Sequence, residues 1–187
     1  MNAIDLDKIP VGADNALRIA PALLRHAMTT THPGVAQVLL ERASVAAASD
    51  VVIPQLATFI YRVPKAYFAP ESSIEEREFY AARVRMFTGS MLGRLVCPEW
   101  ADLYYTLAKD ADLGADRFNI ILNLEKTKRH DTGEVLLRAL DDDTVRNFAA
   151  QALGALRYSP ARERLESLSR NGDPDLRRAA HSALMQM

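Results

Sequence analysis

Two carboxylate–guanidinium pairs stand out in the 187 residues. Asp142 is followed four positions on by Arg146, and Asp173 by Arg177, the second pair 31 residues after the first. An acid and a base four residues apart share one face of a helix, where they could hold a polar ligand. The same spacing has a structural use, because a carboxylate in the turn before a helix caps its first N–H groups and can pair with an Arg in its first turn. The recurrence favours the structural use, and the run Asp141-Asp142-Asp143 reads the same way, as charge placed at a helix start. His26, His32, His130 and His181 are scattered, with no two His, Cys or paired carboxylates at ligand spacing, so no metal is expected. Cys97 is the single cysteine, lies before Pro98 and has no neighbouring His, which predicts a structural thiol and no disulfide within the chain. There is no Gly-rich phosphate loop and no Gly-x-Ser-x-Gly. The chain is therefore expected to be non-catalytic and to carry no cofactor.

The elements that would position these residues are helices. Ala and Leu number 29 and 23, against 8 Gly. Apolar stripes and Pro at first-turn positions predict helices over Asn15–Thr29, with Leu17, Ala20, Leu24 and Met28 inward and a kink at Pro21, and over Pro33–Ala48, with Val35, Val38, Leu39 and Ala43 inward. A third, Val51–Arg62, is interrupted by Pro54. Residues Val63–Glu71 contain two prolines and form a loop that carries Tyr67 and Phe68. Ser73 and Glu76 make a capping box for a helix reaching about Val96, striped by Tyr80, Val84, Phe87, Met91 and Leu95. Shorter apolar helices follow at Trp100–Lys109, Glu134–Leu140 and Ala161–Ser169.

The strongest pattern is internal repetition. Asp142–Leu153 aligns with Asp173–Leu184 at a constant shift of 31, matching the Asp, the Arg, Ala149 with Ala180, Ala152 with Ala183, and Leu153 with Leu184; Asp116–Leu124 is a weaker copy. Two-helix units of this length bury their apolar faces by stacking, and the small residues let the second helices approach closely. The segment Asp141–Gly154 resembles the short HEAT-like repeats of the phycobilisome-lyase type, whose signature is an Asp-containing turn, Val-Arg and Ala-Ala-x-Ala-Leu. The resemblance covers about Asp131–Met187 and extends more weakly back to Pro98. It implies an all-α solenoid of stacked antiparallel helix pairs, a single domain over 1–187, with about three repeats in 98–187 and divergent helical pairs or a cap in 1–97.

In that family the second helices line the concave face. With Ala149, Ala152, Leu153 and Leu156 inward, the outward residues of the 146–155 helix are Asn147, Ala150, Gln151 and Gly154, and those of the last helix are Arg178, His181 and Ser182. Arg117, Asn147, Gln151, Arg178 and His181 are thus the expected partner-contacting residues. Tyr67 and Phe68 join them as loop aromatics that either anchor a partner or fold back on the core. The segment 59–118 holds 11 of the 13 aromatics, most of them expected in the core.

Charge separates the function classes. Lys plus Arg is 23 and Asp plus Glu is 24, and neither half is basic: residues 1–97 carry +1 and 98–187 carry −2. A dedicated nucleic-acid partner is therefore not expected, and a HEAT-like DNA glycosylase, which needs a basic groove, ranks last. The His-Glu pairs of the HEAT-like deoxyhypusine hydroxylases are absent. A phycobilin-lyase-like or chaperone-like protein holding a tetrapyrrole or an acceptor chain is the alternative suggested by the repeats and the aromatic middle. The leading expectation is a protein-binding module, adaptor or bacterial immunity protein, whose partner is another protein. No membrane segment or signal peptide is apparent, and a cytoplasmic location is expected.

Overall fold

Every regular element among the described residues, 13–30, 32–44, 49–63 and 73–187 of this computed structural model, is helical: α1 (Ala13–Thr29), α2 (Pro33–Ala43), α3 (Ser49–Arg62), α4 (Ile74–Arg94), α5 (Ala101–Lys109), α6 (Phe118–Leu122), α7 (Thr132–Ala139), α8 (Arg146–Ala155), α9 (Arg162–Asn171) and α10 (Pro174–Gln186). Short 3-10 turns link several of them. The starts of α2, α4 and α10 are set by side chains that satisfy the free N–H groups of a first turn. His32 precedes Pro33, and its Nδ1 accepts from the Val35 N–H at 3.4 Å. The capping box forms as expected, with Ser73 Oγ accepting from the Glu76 N–H at 3.1 Å and Glu76 accepting from the Ser73 N–H at 3.0 Å. Pro21 and Pro54 are held inside α1 and α3 without ending either helix. Tyr67 and Phe68 lie outside the described residues.

The expected stripe of α2 is corrected. Val35 and Val38 are exposed, and the buried side is Ala36, Leu39, Leu40 and Ala43. α2 also ends earlier than expected, with Ser44 as its C-cap.

The chain divides into two compact units, Met1–Val84 and Arg85–Met187, with the boundary inside α4. In the first, α1 packs on α2 and on α3, and the core is built from Leu24, Leu40, Ile53, Leu56 and Ile60. In the second, α7 packs on α8, α9 on α10, α6 on α8, and α8 on α10. The ring of Tyr158, just after α8, sits where a side chain at Gly133 at the start of α7 would have to be, so these two helices run antiparallel. Tyr104 and Tyr105 of α5 are core residues, the Tyr104 hydroxyl donating to the Leu92 carbonyl at 3.0 Å. Among the described residues no helix is long and apolar enough to cross a membrane.

Arg–Asp pairs link successive stretches of the second unit. Arg85 Nε donates to Asp116 at 3.0 Å, Arg117 donates to Asp142, and Arg146 Nη2 donates to Asp173 at 2.9 Å. The expected pairing within a repeat, Asp142 with Arg146 and Asp173 with Arg177, does not form between these side chains. Each Asp instead accepts from the Arg of the preceding repeat, while Asp142 holds the turn that leads into α8 and Asp173 caps α10. Asp142 holds the Thr144 N–H at 2.9 Å, and Asp173 holds the N–H groups of Asp175 and Leu176, both at 3.0 Å.

The helices α8 and α10 run parallel, because their contacts advance together from Arg146–Asp173 at one end to Gly154–Ala183 at the other. A Cβ on Gly154 would lie 2.5 Å from the Ala183 Cα, which only glycine tolerates. Ala150 and Gly154, expected to face outward, are both buried. Gly154 has no side chain because Ala183 of α10 lies against it.

Two outcomes test the Arg–Asp links. The side chain of Arg117 is 4% exposed and that of Asp142 28%, so Asp142→Ala strips a buried cation of its partner and removes the acceptor that holds the Thr144 turn. We expect a loss of about 2–3 kcal/mol by urea unfolding, less than the roughly 3–5 kcal/mol of a fully buried pair, and less than additive with Arg117→Met. Both carboxyls also sit below their ordinary value of 3.8. For Asp142, burial pushes upward but is outweighed by the Thr144 hydrogen bonds and the Arg117 charge; for Asp173, the Leu176 N–H leads, and the Asp175 N–H and Arg146 add to it. Their stabilisation is therefore complete above 3.8 and is lost as pH falls through the lower folded values. The double variant Asp142→Ala Asp173→Ala should show a shallower fall of the urea midpoint in that acid window than the wild type.

Candidate functional site: an amide-lined groove between α8 and α10

Close approach of two parallel helices on one side leaves a cleft on another. Here it is a groove of about 660 Å³ flanked by two rows of side chains. One row is Asn147, Gln151 and Ala155 of α8, and the other is Arg178, Ser182 and Gln186 of α10. Within each row the spacing is four residues, which keeps them on one helix face. Between rows the shift is 31, so the groove is built from equivalent positions of two successive repeats. Leu122, Phe148 and Ala179 supply apolar lining. Phe148 is propped by Phe118 of α6, ring centroids 4.9 Å apart and planes inclined at 46°.

The chemistry of the lining is that of hydrogen bonding without net charge. Three carboxamides and a hydroxyl face one ion pair, Arg178 with Asp175 at 3.3 Å, both well exposed. The Asn147 Oδ1 differs from the rest, being buried without a hydrogen-bond partner. A buried acceptor left unpaired costs roughly 1–3 kcal/mol.

Of the residues singled out from sequence, Asn147, Gln151 and Arg178 come together here, with Ser182 between them. His181 is exposed on α10 but does not line the groove. Arg117, expected among the partner-contacting residues, is corrected to an internal strut. It is buried, and its guanidinium donates to the Gly114 carbonyl at 3.2 Å, to the Ala108 carbonyl at 2.7 Å and to Asp142. Sequence reasoning missed Phe148, Ala155 and Gln186. The signal was present for two of them: four residues beyond Gln151 is Ala155, and 31 beyond Ala155 is Gln186.

Cys97 is half-buried, and its thiol is pushed above the usual value by burial, then by its hydrogen bond with Glu99. That shift favours the thiol over the nucleophilic thiolate, as expected of a structural cysteine. Among the described residues no three His, Cys, Asp or Glu groups gather as a metal site. No protein-family model matches the chain, nor does any curated protein or solved structure.

If Asn147 serves binding and not folding, its removal should be harmless to stability. Asn147→Leu, which deletes the orphaned acceptor and adds apolar surface, is expected to leave the urea unfolding free energy unchanged or raised by about 1 kcal/mol. A loss of that size would make Asn147 a structural residue.

Proposed function

We propose that this chain is a non-catalytic, cytoplasmic protein-binding module of HEAT-like helical repeats, an adaptor or immunity-type protein whose second helices offer their common face to a protein partner. The observation that carries this reading is the groove itself, where the same registers of α8 and α10 present Asn147, Gln151, Arg178 and Ser182 side by side. The two rows come from one register of successive repeats, and together they gather three carboxamides and a hydroxyl on one face. The apolar lining around Phe148 adds the dry contact that protein interfaces use at their centres. The absence of excess positive charge on the lining suits a protein partner better than a polyanion.

The test is affinity capture from the source cell with the tagged full chain at micromolar concentration, in parallel with a Gln151→Arg Ser182→Arg variant whose melting temperature matches the wild type. A partner protein recovered by the wild type and reduced at least tenfold with the variant is the expected result. Recovery of no protein, or equal recovery by both chains, would sink the proposal.

A further inference from the structure

We propose that a hollow between the ends of α5 and α7, apart from the α8/α10 groove, binds a small organic anion that carries a carboxylate or phosphate group.

The hollow measures about 210 Å³. Ala108, Val135 and Ala139 give it an apolar wall, and its charged lining is Lys109, Arg117, Arg138 and Asp142. Pockets for drug-sized ligands occupy roughly 300–1,000 Å³, so an occupant of this one has few atoms beyond its charged group.

The charges of the lining do not balance. Arg117 and Asp142 cancel each other, and Asp142 is also held by the Thr144 N–H and hydroxyl. The carboxylates beside it in sequence are engaged elsewhere, Asp141 with Arg164 at 2.6 Å and Asp143 with Arg146 at 2.5 Å. Lys109 and Arg138 are left over. Among the described residues no carboxylate meets either, and the Lys109 Nζ lies 5.5 Å from the centre of the Tyr105 ring, a contact that uses none of its N–H donors on an acceptor. Each cation stands in the last turn of its helix, where it offsets the helix dipole. A helix C-terminus carries roughly half a negative charge, so two of them reduce a surplus of two to about one and do not cancel it. The whole chain is at −1, which makes this excess local.

The repeat shows that the two cations are not needed to close the joint. The link from Arg117 to Asp142 recurs as Arg146 to Asp173, and 31 residues beyond Lys109 and Arg138 stand Leu140 and Ser169. The later joint closes without either charge. Lys109 and Arg138 are both exposed on flexible stems, so their head groups can turn onto one anion, the guanidinium through two parallel N–H bonds to a carboxylate or phosphate.

The experiment titrates the full chain with glycerol 3-phosphate, succinate and inorganic phosphate at fixed ionic strength in chloride, by calorimetry and by heteronuclear NMR. The expected result is saturable one-to-one binding of an organic anion at about 1 mM or tighter, with the largest shifts at the amides of Ala108, Lys109, Arg138 and Ala139. Binding should weaken at least tenfold in Lys109→Met Arg138→Met and be unchanged in Arg162→Met, which removes an exposed cation from α9. Tighter binding of glycerol 3-phosphate supports a phosphate ligand, and tighter binding of succinate a carboxylate ligand. No saturation by about 10 mM of any probe, shifts confined to other residues of the wild type, or equal affinity in the double variant overturns the site. Inorganic phosphate bound as tightly as both organic probes overturns the organic ligand. The wild-type shifts decide the outcome even where the double variant unfolds at lower urea.

Discussion

A guanidinium that is 4% exposed keeps its charge, so it must be met by a fixed carboxylate, and in this chain Asp142 is that carboxylate for Arg117. The carboxylate is itself fixed, because it is held by the Thr144 N–H at the turn that leads into α8. Two demands meet on one side chain: the turn needs an acceptor, and the preceding unit needs an anion. The position of α8 relative to the segment carrying Arg117 follows from satisfying both. The same construction at Asp173 relates α10 to α8 through Arg146. Isolated ion pairs on a surface contribute little, but a carboxylate that is also a helix cap has already lost its freedom, so pairing costs less additional entropy.

The groove is a by-product of that alignment. Once Arg146–Asp173 brings the starts of α8 and α10 together, Gly154 allows their far ends to touch at Ala183, and the side chains on the groove face are left in two facing rows. Larger residues at Ala150 or Gly154 would part the helices and break the rows. The small residues and the amides are thus two faces of a single design. The first sets the spacing, and the second occupies the space created.

Much of this was legible in the sequence, and the failures share a cause. The 31-residue shift, the capping box at Ser73 and Glu76, and the helical character throughout rest on local patterns of spacing, which a linear string displays directly. The partner of each Arg was not legible, because an Asp four residues away offers a closer local match than one lying 25 or 27 residues further along. Ala150 and Gly154 were placed on the wrong face for a related reason. Residues without appreciable side chains contribute almost nothing to an apolar stripe, and their role appears only when a second helix is laid against them. The error at Val35 and Val38 is the reverse case, where β-branched residues weigh heavily in a stripe while the packed side of α2 uses two alanines and two leucines. Within the groove, Asn147, Gln151 and Arg178 were found by extending one repeat register, but the orphaned state of the Asn147 oxygen depends on what its neighbours cover.

The double duty of the capping aspartates makes length in this half of the chain a quantised variable. Excision of residues 142–172 would set Asp173 where Asp142 had been, facing Arg117 and capping the next helix, with each link still closed. Removal of a number that does not bring one repeat's Arg opposite the next repeat's Asp would strand the buried Arg117 without its carboxylate. Gain or loss of sequence here is therefore tolerable in whole repeats, and each repeat gained or lost would lengthen or shorten the row of side chains along the groove by one helix.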